Sequence, residues 1–314
     1  MRVVSFLPSA TEILFALGRG EYLVGRSHEC DHPPEALSRP VVMRARKDLA
    51  ALDSRAIDGY VRASMAKKEE LYEVDEEQLR SLEPDLVLTQ DLCAVCSVTP
   101  GTLEDALGRL PKRPQVLILS PTRLEHLFRD TQKVAEAIGD AARGITQASE
   151  WKRRLARVKA EPKSSSSPRV LVLDWLDPPI LAGLWVPDMV RAAGGTPLGP
   201  KPGAPAQRTE WDAVRGLGAD LVVLSPCAYS LDRTERELSR QATHPLGDLH
   251  PERGTWLADE AFFSRPGPRL LEGVELLSDL LQGTGRPRRA YEGRARPAFR
   301  AGLSMARFPH RGYA

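Results

Sequence analysis

The chain has 314 residues, 42% hydrophobic and 27% charged, with only 4 cysteines. That excludes a disordered chain and a small disulfide scaffold, and at roughly 100–200 residues per domain it allows two lobes or one large domain. Net charge is +2 but uneven: from Thr284 to the end there are eight arginines and one acid, a local +7, against −5 for the rest.

The opening "MRVVSFLPS" goes straight into a strand, "RVVSFL", with no secretory signal before it. A cytoplasmic protein with reduced thiols is expected. A periplasmic location is the alternative if this start belongs to a truncated mature form. "SATEILFALG" follows as a helix, with Ser9 and Glu12 as an S-x-x-E capping box and Gly18 at its end. "YLVGRS" is the next strand. "VDEEQLRSLEPDLVLTQ" reads as helix, turn at Pro84, then strand; "TLEDALGRL" is helical and "QVLILS" a strand. Strand–helix alternation of this kind argues for a parallel sheet with helices on both faces.

Residues 122–160 read as one long helix, with Ala135, Ala137, Ile138, Ala141 and Ala142 at helical spacing. The Ser-rich "PKSSSSP" after it is a flexible connection. The second half repeats the pattern: strand "RVLVLDWL", helix "WVPDMVRAAGG" ended by glycine, then "EWDAVRGLGADLVVLSP" as helix, turn and strand. "TWLADEAFFSRPGPRLLEGVELLSDLL" supplies a strand, a loop and a closing helix. The similarity of "LEPDLVLTQDLC" to "LGADLVVLSPC" suggests two related lobes. The expected fold is therefore α/β: a first lobe over 1–121, a connecting helix over 122–160 and a second lobe over 161–283. The two lobes have parallel sheets, with a ligand cleft between them. Residues 284–314 read as a basic tail, disordered by its Pro, Gly and Arg content. A basic arm can also contact nucleic acid or membrane, but nucleic acid is not an expected partner. No apolar run reaches the ~18 residues of a membrane span.

In open α/β sheets ligands bind beyond the carboxyl ends of the strands. His28, Cys30 and Asp31 follow "YLVGRS"; Cys93 and Cys96 follow "DLVLTQ", which ends at Gln90; Trp175 and Asp177 close "RVLVLDWLD"; Cys227 follows "DLVVLSP". All 4 cysteines thus lie just past strand ends, where buried apolar cysteines need not be. His28, Cys30, Cys93 and Cys96 offer one nitrogen and three sulfurs, soft donors suited to zinc or another thiophilic metal. Three readings of "CAVC" stay open: half of a metal site, a redox pair, or packing thiols. The redox reading is weakened because the next helix begins only near Thr102. His28 could also act as base to Cys93 or Cys96 in an enzyme. Trp175, Trp185, Tyr229, Phe262 and Phe263 could hold a large planar ligand or close the second lobe's core. In "FSRPGPRL", Arg265 and Arg269 could meet a ligand carboxylate or phosphate. The candidate ligand-binding set is completed by Ser9 and Gln90.

Together "RVVSFLPSATEILFALG", "LVGRSHECDHPP", "LEPDLVLTQ", the long central helix and "FSRPGPRL" resemble, over about residues 1–282, the class III substrate-binding proteins of ABC importers, in their cobalamin and iron-chelate branch. The resemblance implies two α/β lobes bridged by a rigid helix. It also implies a corrinoid or siderophore held between them and delivered to an ABC permease. Cobalamin is the first ligand expected, with haem, an iron chelate or zinc as alternatives. The family docks through one acid on each lobe, and the matching positions are Glu77 and Asp212. The expected function is a non-catalytic binding protein; the alternative is a Cys/His metal-binding protein or metal-dependent enzyme using the thiols.

Overall fold

The computed structural model describes residues 1–91, 100–161, 167–240, 244–282, 291 and 293–298. They form two compact units. Unit 1 comprises Met1–Leu52, Ala56–Arg154 and Arg265–Pro268; unit 2 comprises Asp53–Arg55, Leu155–Ser264 and the described residues from Arg269 onwards.

In chain order the first half contains β1 (Val3–Ser5), α1 (Pro8–Ala16), β2 (Leu23–Ser27), β3 (Val41–Ala45), α2 (Ser54–Lys67), β4 (Tyr72–Val74), α3 (Glu76–Ser81), β5 (Leu86–Gln90), α4 (Pro100–Gly108), β6 (Gln115–Leu119), α5 (His126–Ala137) and α6 (Ala141–Ala160). The strands make a sheet of order β4-β3-β2-β1-β5-β6. Its central strands are parallel, with Val3 opposite both Leu23 and Leu86. Residues Val3, Val4, Leu86, Val87 and Leu88 are fully buried. Both faces of these strands are covered, so they read as continuous apolar runs rather than alternating ones.

α1 starts differently from the capping-box expectation. Pro8 occupies the first turn, Leu7 is the N-cap and no side chain caps it. Proline already holds the φ a helix needs and lacks the N–H that a cap would satisfy, so the start moves one residue ahead of Ser9. Gly18 ends the helix as expected, in the left-handed region at φ +68°. Residues 122–160 hold two helices, not one. The chain turns at Gly139, φ +78°, where the Asp140 N–H donates to Ala135 O at 2.8 Å. α6 alone has 20 residues; Gly144, Ala148, Trp151, Leu155 and Val158 form its buried stripe.

The second half contains β7 (Arg169–Trp175), β8 (Ile180–Leu181), α7 (Val186–Ala193), β9 (Thr196–Leu198), β10 (Gln207–Arg208), α8 (Trp211–Gly216), β11 (Leu221–Leu224), α9 (Leu231–Ser239), β12 (Thr255–Ala258), α10 (Leu270–Gln282) and β13 (Ala295–Pro297). The sheet order is β10-β8-β7-β11-β12-β13, with β9 also on β7. β7, β11 and β12 are parallel, and Leu171, Leu173, Val222, Leu224 and Leu257 fill the core around them.

Both sheets are mixed rather than all parallel. β4 runs antiparallel to β3, β8 to β7, β10 to β8 and β13 to β12. β4, β8, β10 and β13 are only two or three residues long and lack the apolar runs that mark the buried centre, which hides them from periodicity. Of the segment read as a disordered tail, residues 291 and 293–298 are described and contain β13; the rest lies outside the described residues. Arg294 pairs with Glu272 at 3.2 Å and stacks over Phe262, and Arg296 pairs with Asp232 and Glu235 at 2.8 and 2.7 Å. These two arginines of the basic run are matched by acids of unit 2.

Tyr291 is 9% exposed and meets Phe262 edge-on at 6.0 Å. Tyr291→Ala is expected to lower unfolding free energy by about 3 kcal/mol, as for other buried aromatics, measured by urea denaturation.

Candidate functional site

In unit 1 the carboxyl end of β2 feeds a charged loop. His28 is half-buried, its Nδ1 3.2 Å from Met43 O and its Nε2 3.3 Å from a Glu29 carboxylate oxygen. Arg265, side chain only 10% exposed, pairs with Asp31 and, at 3.4 Å, with Glu29. Its guanidinium fork thus ties down this loop's own carboxylates. Ser9, buried in the first turn of α1, packs closely against the chain at Gly267. Gln90 is the last residue of β5, half-buried.

Cys30 is a core thiol, not the accessible donor its spacing suggests. It is fully buried, accepts from the Thr11 hydroxyl at 3.1 Å and sits 3.8 Å from Ser5 O. Burial pushes its pKa up to about 11, with the Thr11 hydrogen bond opposing, so the thiolate a metal would need is disfavoured. Cys93 and Cys96 lie outside the described residues. Among the described residues no group of three or more His, Cys, Asp or Glu is placed to hold a metal ion.

In unit 2 the carboxyl ends of β7 and β11 lie side by side, because Leu173 and Leu224 are register partners. This brings Trp175 and Tyr229 together, edge to face at 5.1 Å. Trp175 is half-buried, and its Nε1–H donates to Ser54 O at 3.1 Å. Ser54 in turn donates from N and Oγ, both 2.8 Å, to the buried Glu237 of α9. The Arg233 guanidinium lies 4.0 Å from the Tyr229 ring centroid. Asp177 holds Arg55 through a two-pronged pair at 2.9 and 3.2 Å. Tyr229 is itself a core residue, 1% exposed, not the ligand-facing ring its position suggests, and the candidate aromatics other than Trp175 join it. Trp185 and Phe263 are core residues, 6% and 2% exposed, joined by a 2.6 Å bond from the indole N–H to Phe263 O. Cys227 is half-buried, with its N–H donating to Asp174 O at 3.1 Å.

Ser54, Arg55, Arg233, Glu237 and Asp174 are absent from the sequence-derived site. One signal was available: in "LDRTERELS" Glu237 falls on the apolar face with Leu231 and Leu238, where an unpaired acid is costly. Nothing in the sequence marks Ser54, whose partner lies 183 residues away. Glu77 and Asp212, the docking acids implied by resemblance, are exposed on α3 and α8; Asp212 pairs with Arg215.

A family model described as periplasmic binding protein matches residues 3–236. The chain belongs to that family. Among solved structures, a periplasmic heme-binding protein from Pseudomonas aeruginosa superposes with TM-score 0.68 at 20% identity, covering 91% of this chain and 94% of its own. The periplasmic heme-binding protein RhuT from Roseiflexus gives 0.64 at 22%, covering 90% and 99%. The periplasmic vitamin B12-binding protein of Vibrio cholerae gives 0.61 at 20%, covering 90% and 96%. No curated protein matches the sequence significantly. The fold shared with these structures is that of the class III substrate-binding proteins of ABC importers. In a family member of this type the strand-end loops just described are the candidate site.

Two measurements test this site. Because Cys30 is buried and its thiol held protonated, iodoacetamide at pH 8 should leave it unmodified in native protein and modify it after unfolding, read by peptide mass spectrometry. Two buried groups should oppose each other in acid. Desolvation, against a Ser264 hydroxyl bond, pushes Asp174 up to about 6; desolvation, partly offset by Asp177, pushes His244 down to about 4. Folded Asp174 binds its proton more tightly than the unfolded chain does, so its contribution falls as pH rises from about 4 to 6. Folded His244 resists the proton the unfolded chain accepts, so its contribution falls as pH drops from about 6.5 to 4. Asp174→Asn removes the first slope only. It should raise stability by about 2 kcal/mol at neutral pH and by little near pH 4, followed by urea denaturation across pH.

Proposed function

We propose that this chain binds a large metal-centred macrocycle, a corrinoid such as cobalamin before haem or an iron chelate, without transforming it. The observation that carries the reading is Trp175. Its ring stands half-buried at the carboxyl edge of the second sheet, braced edge-on by Tyr229 and fixed in orientation by the bond to Ser54 O. A held aromatic surface at a sheet's carboxyl edge suits a flat, largely apolar ligand, because little side-chain freedom remains to be lost on binding. Family membership and the ligands named for the haem- and vitamin B12-binding structures support the same class. An ABC permease is the partner the family implies, with Glu77 and Asp212 as the acids that would meet it.

The test is titration of the full chain with cyanocobalamin, haemin and a ferric siderophore, followed by visible absorption and calorimetry. Cyanocobalamin should bind, and Trp175→Ala should weaken it about tenfold, the loss expected for one aromatic contact, while Trp185→Phe should change affinity little. Failure of all three ligands to bind, or an unchanged affinity in Trp175→Ala, refutes the reading.

A further inference from the structure

The charged groups around Trp175 are unevenly matched. Six lie in unit 2 at this edge: Asp53, Asp177, Glu210 and Glu237, against Arg55 and Arg233. Asp177, Asp53 and Glu210 all act on the Arg55 guanidinium, with the Asp177 hydrogen bond the strongest influence. Arg233, Glu237 and Asp53 all act on Tyr229. Among these described residues four acids stand against two bases. Both cations are already engaged: Arg55 is gripped by Asp177, and Arg233 is spread over the Tyr229 ring. Glu237 is engaged as well, accepting hydrogen bonds from both Ser54 donors.

A ligand with ionised carboxylates on its periphery meets repulsion from these acids, and the two guanidinium groups among them already hold partners. A ligand whose periphery is amide meets no such repulsion, and its N–H groups find acceptors in these same carboxylates. We infer that this edge selects macrocycles by the charge of their side groups, favouring amide-bearing, uncharged or cationic corrinoids and rejecting carboxylate-bearing ones. The inference rests on the macrocycle reading above and deepens it. It also separates the two ligand classes named for the structural relatives, since haem carries two propionates and cobalamin carries amides. Like-charge juxtaposition acts against wrong partners more than it strengthens right ones, so selection should appear as discrimination.

The test compares cyanocobalamin with its monocarboxylic derivative, in which one peripheral amide is hydrolysed, by calorimetry on the full chain. The acid should bind about tenfold more weakly at low ionic strength, the order expected for one charge near like charges. The gap should narrow at high salt. Asp53→Asn with Glu210→Gln should shrink the gap between the two forms, because each amide keeps a side-chain acceptor but no longer carries a charge to repel the acid. Equal binding of the two forms, tighter binding of the acid, or haemin displacing cyanocobalamin overturns the inference and leaves the macrocycle reading standing. If neither corrinoid nor haemin binds at all, the macrocycle reading falls first and this inference falls with it.

Discussion

Parallel pairing of the central strands governs everything else in each unit. In unit 1, β1 lies between β2 and β5; in unit 2, β7 pairs with β11, which pairs with β12. Parallel strands need a crossover, so each ends at the same edge as its neighbours and hands the chain to a loop there. That places His28 to Asp31 after β2, and Trp175 beside the loop after β11 that carries Tyr229. The ladder is held by fully buried residues such as Val4, Val87, Leu173 and Val223. Truncating one buried leucine to alanine costs about 2–5 kcal/mol, far more than any loop contact supplies. Site geometry is therefore inherited from the core.

On that edge, polar chemistry stabilises the loops before it can serve a ligand. Arg265 is spent on Asp31 and Glu29, Glu237 on Ser54 and Asp177 on Arg55. What remains for an incoming molecule in unit 2 is an aromatic surface with an acidic surround. The buried pair Asp174 and His244 has another consequence. Their charging costs have opposite sign in acid, so between about pH 4 and 6 their contributions to stability oppose each other. The same arrangement keeps Asp174, next to Trp175 in β7, close to its titration range without a charged partner bonded to it.

The fold class was legible because its signals are local and repeated: apolar runs of four or five residues, Gly18 and Gly194 at helix ends, and the echo of "PDLVLTQ" in "ADLVVLS". Strand-end logic likewise pointed to Trp175 and Asp177, which stay part-exposed at the end of β7. It failed where burial decides the role. Cys30, Trp185, Tyr229 and Phe263 are also near strand ends or loops, yet each is under 7% exposed and packs inward. Residue type and spacing are the same for a thiol facing solvent and for one beneath Thr11. Arg294 and Arg296 show the same limit: in sequence they look unpaired until Asp232, Glu235 and Glu272 are brought to them from 22 or more residues away.

The sequence by itself determined two α/β lobes, the direction of their central strands and the family, because hydrophobic period and turn chemistry act between near neighbours. Tertiary structure alone decided which strand-end residues are core and which are site. It decided that Ser54 would brace Trp175 and hold Glu237, that β13 would complete a sheet, and that the edge beside Trp175 would be acidic. Ser54 lies 121 positions from Trp175 and 183 from Glu237, and β13 some forty from β12. A contact of that kind is set by how the sheets close, and no window of sequence contains it.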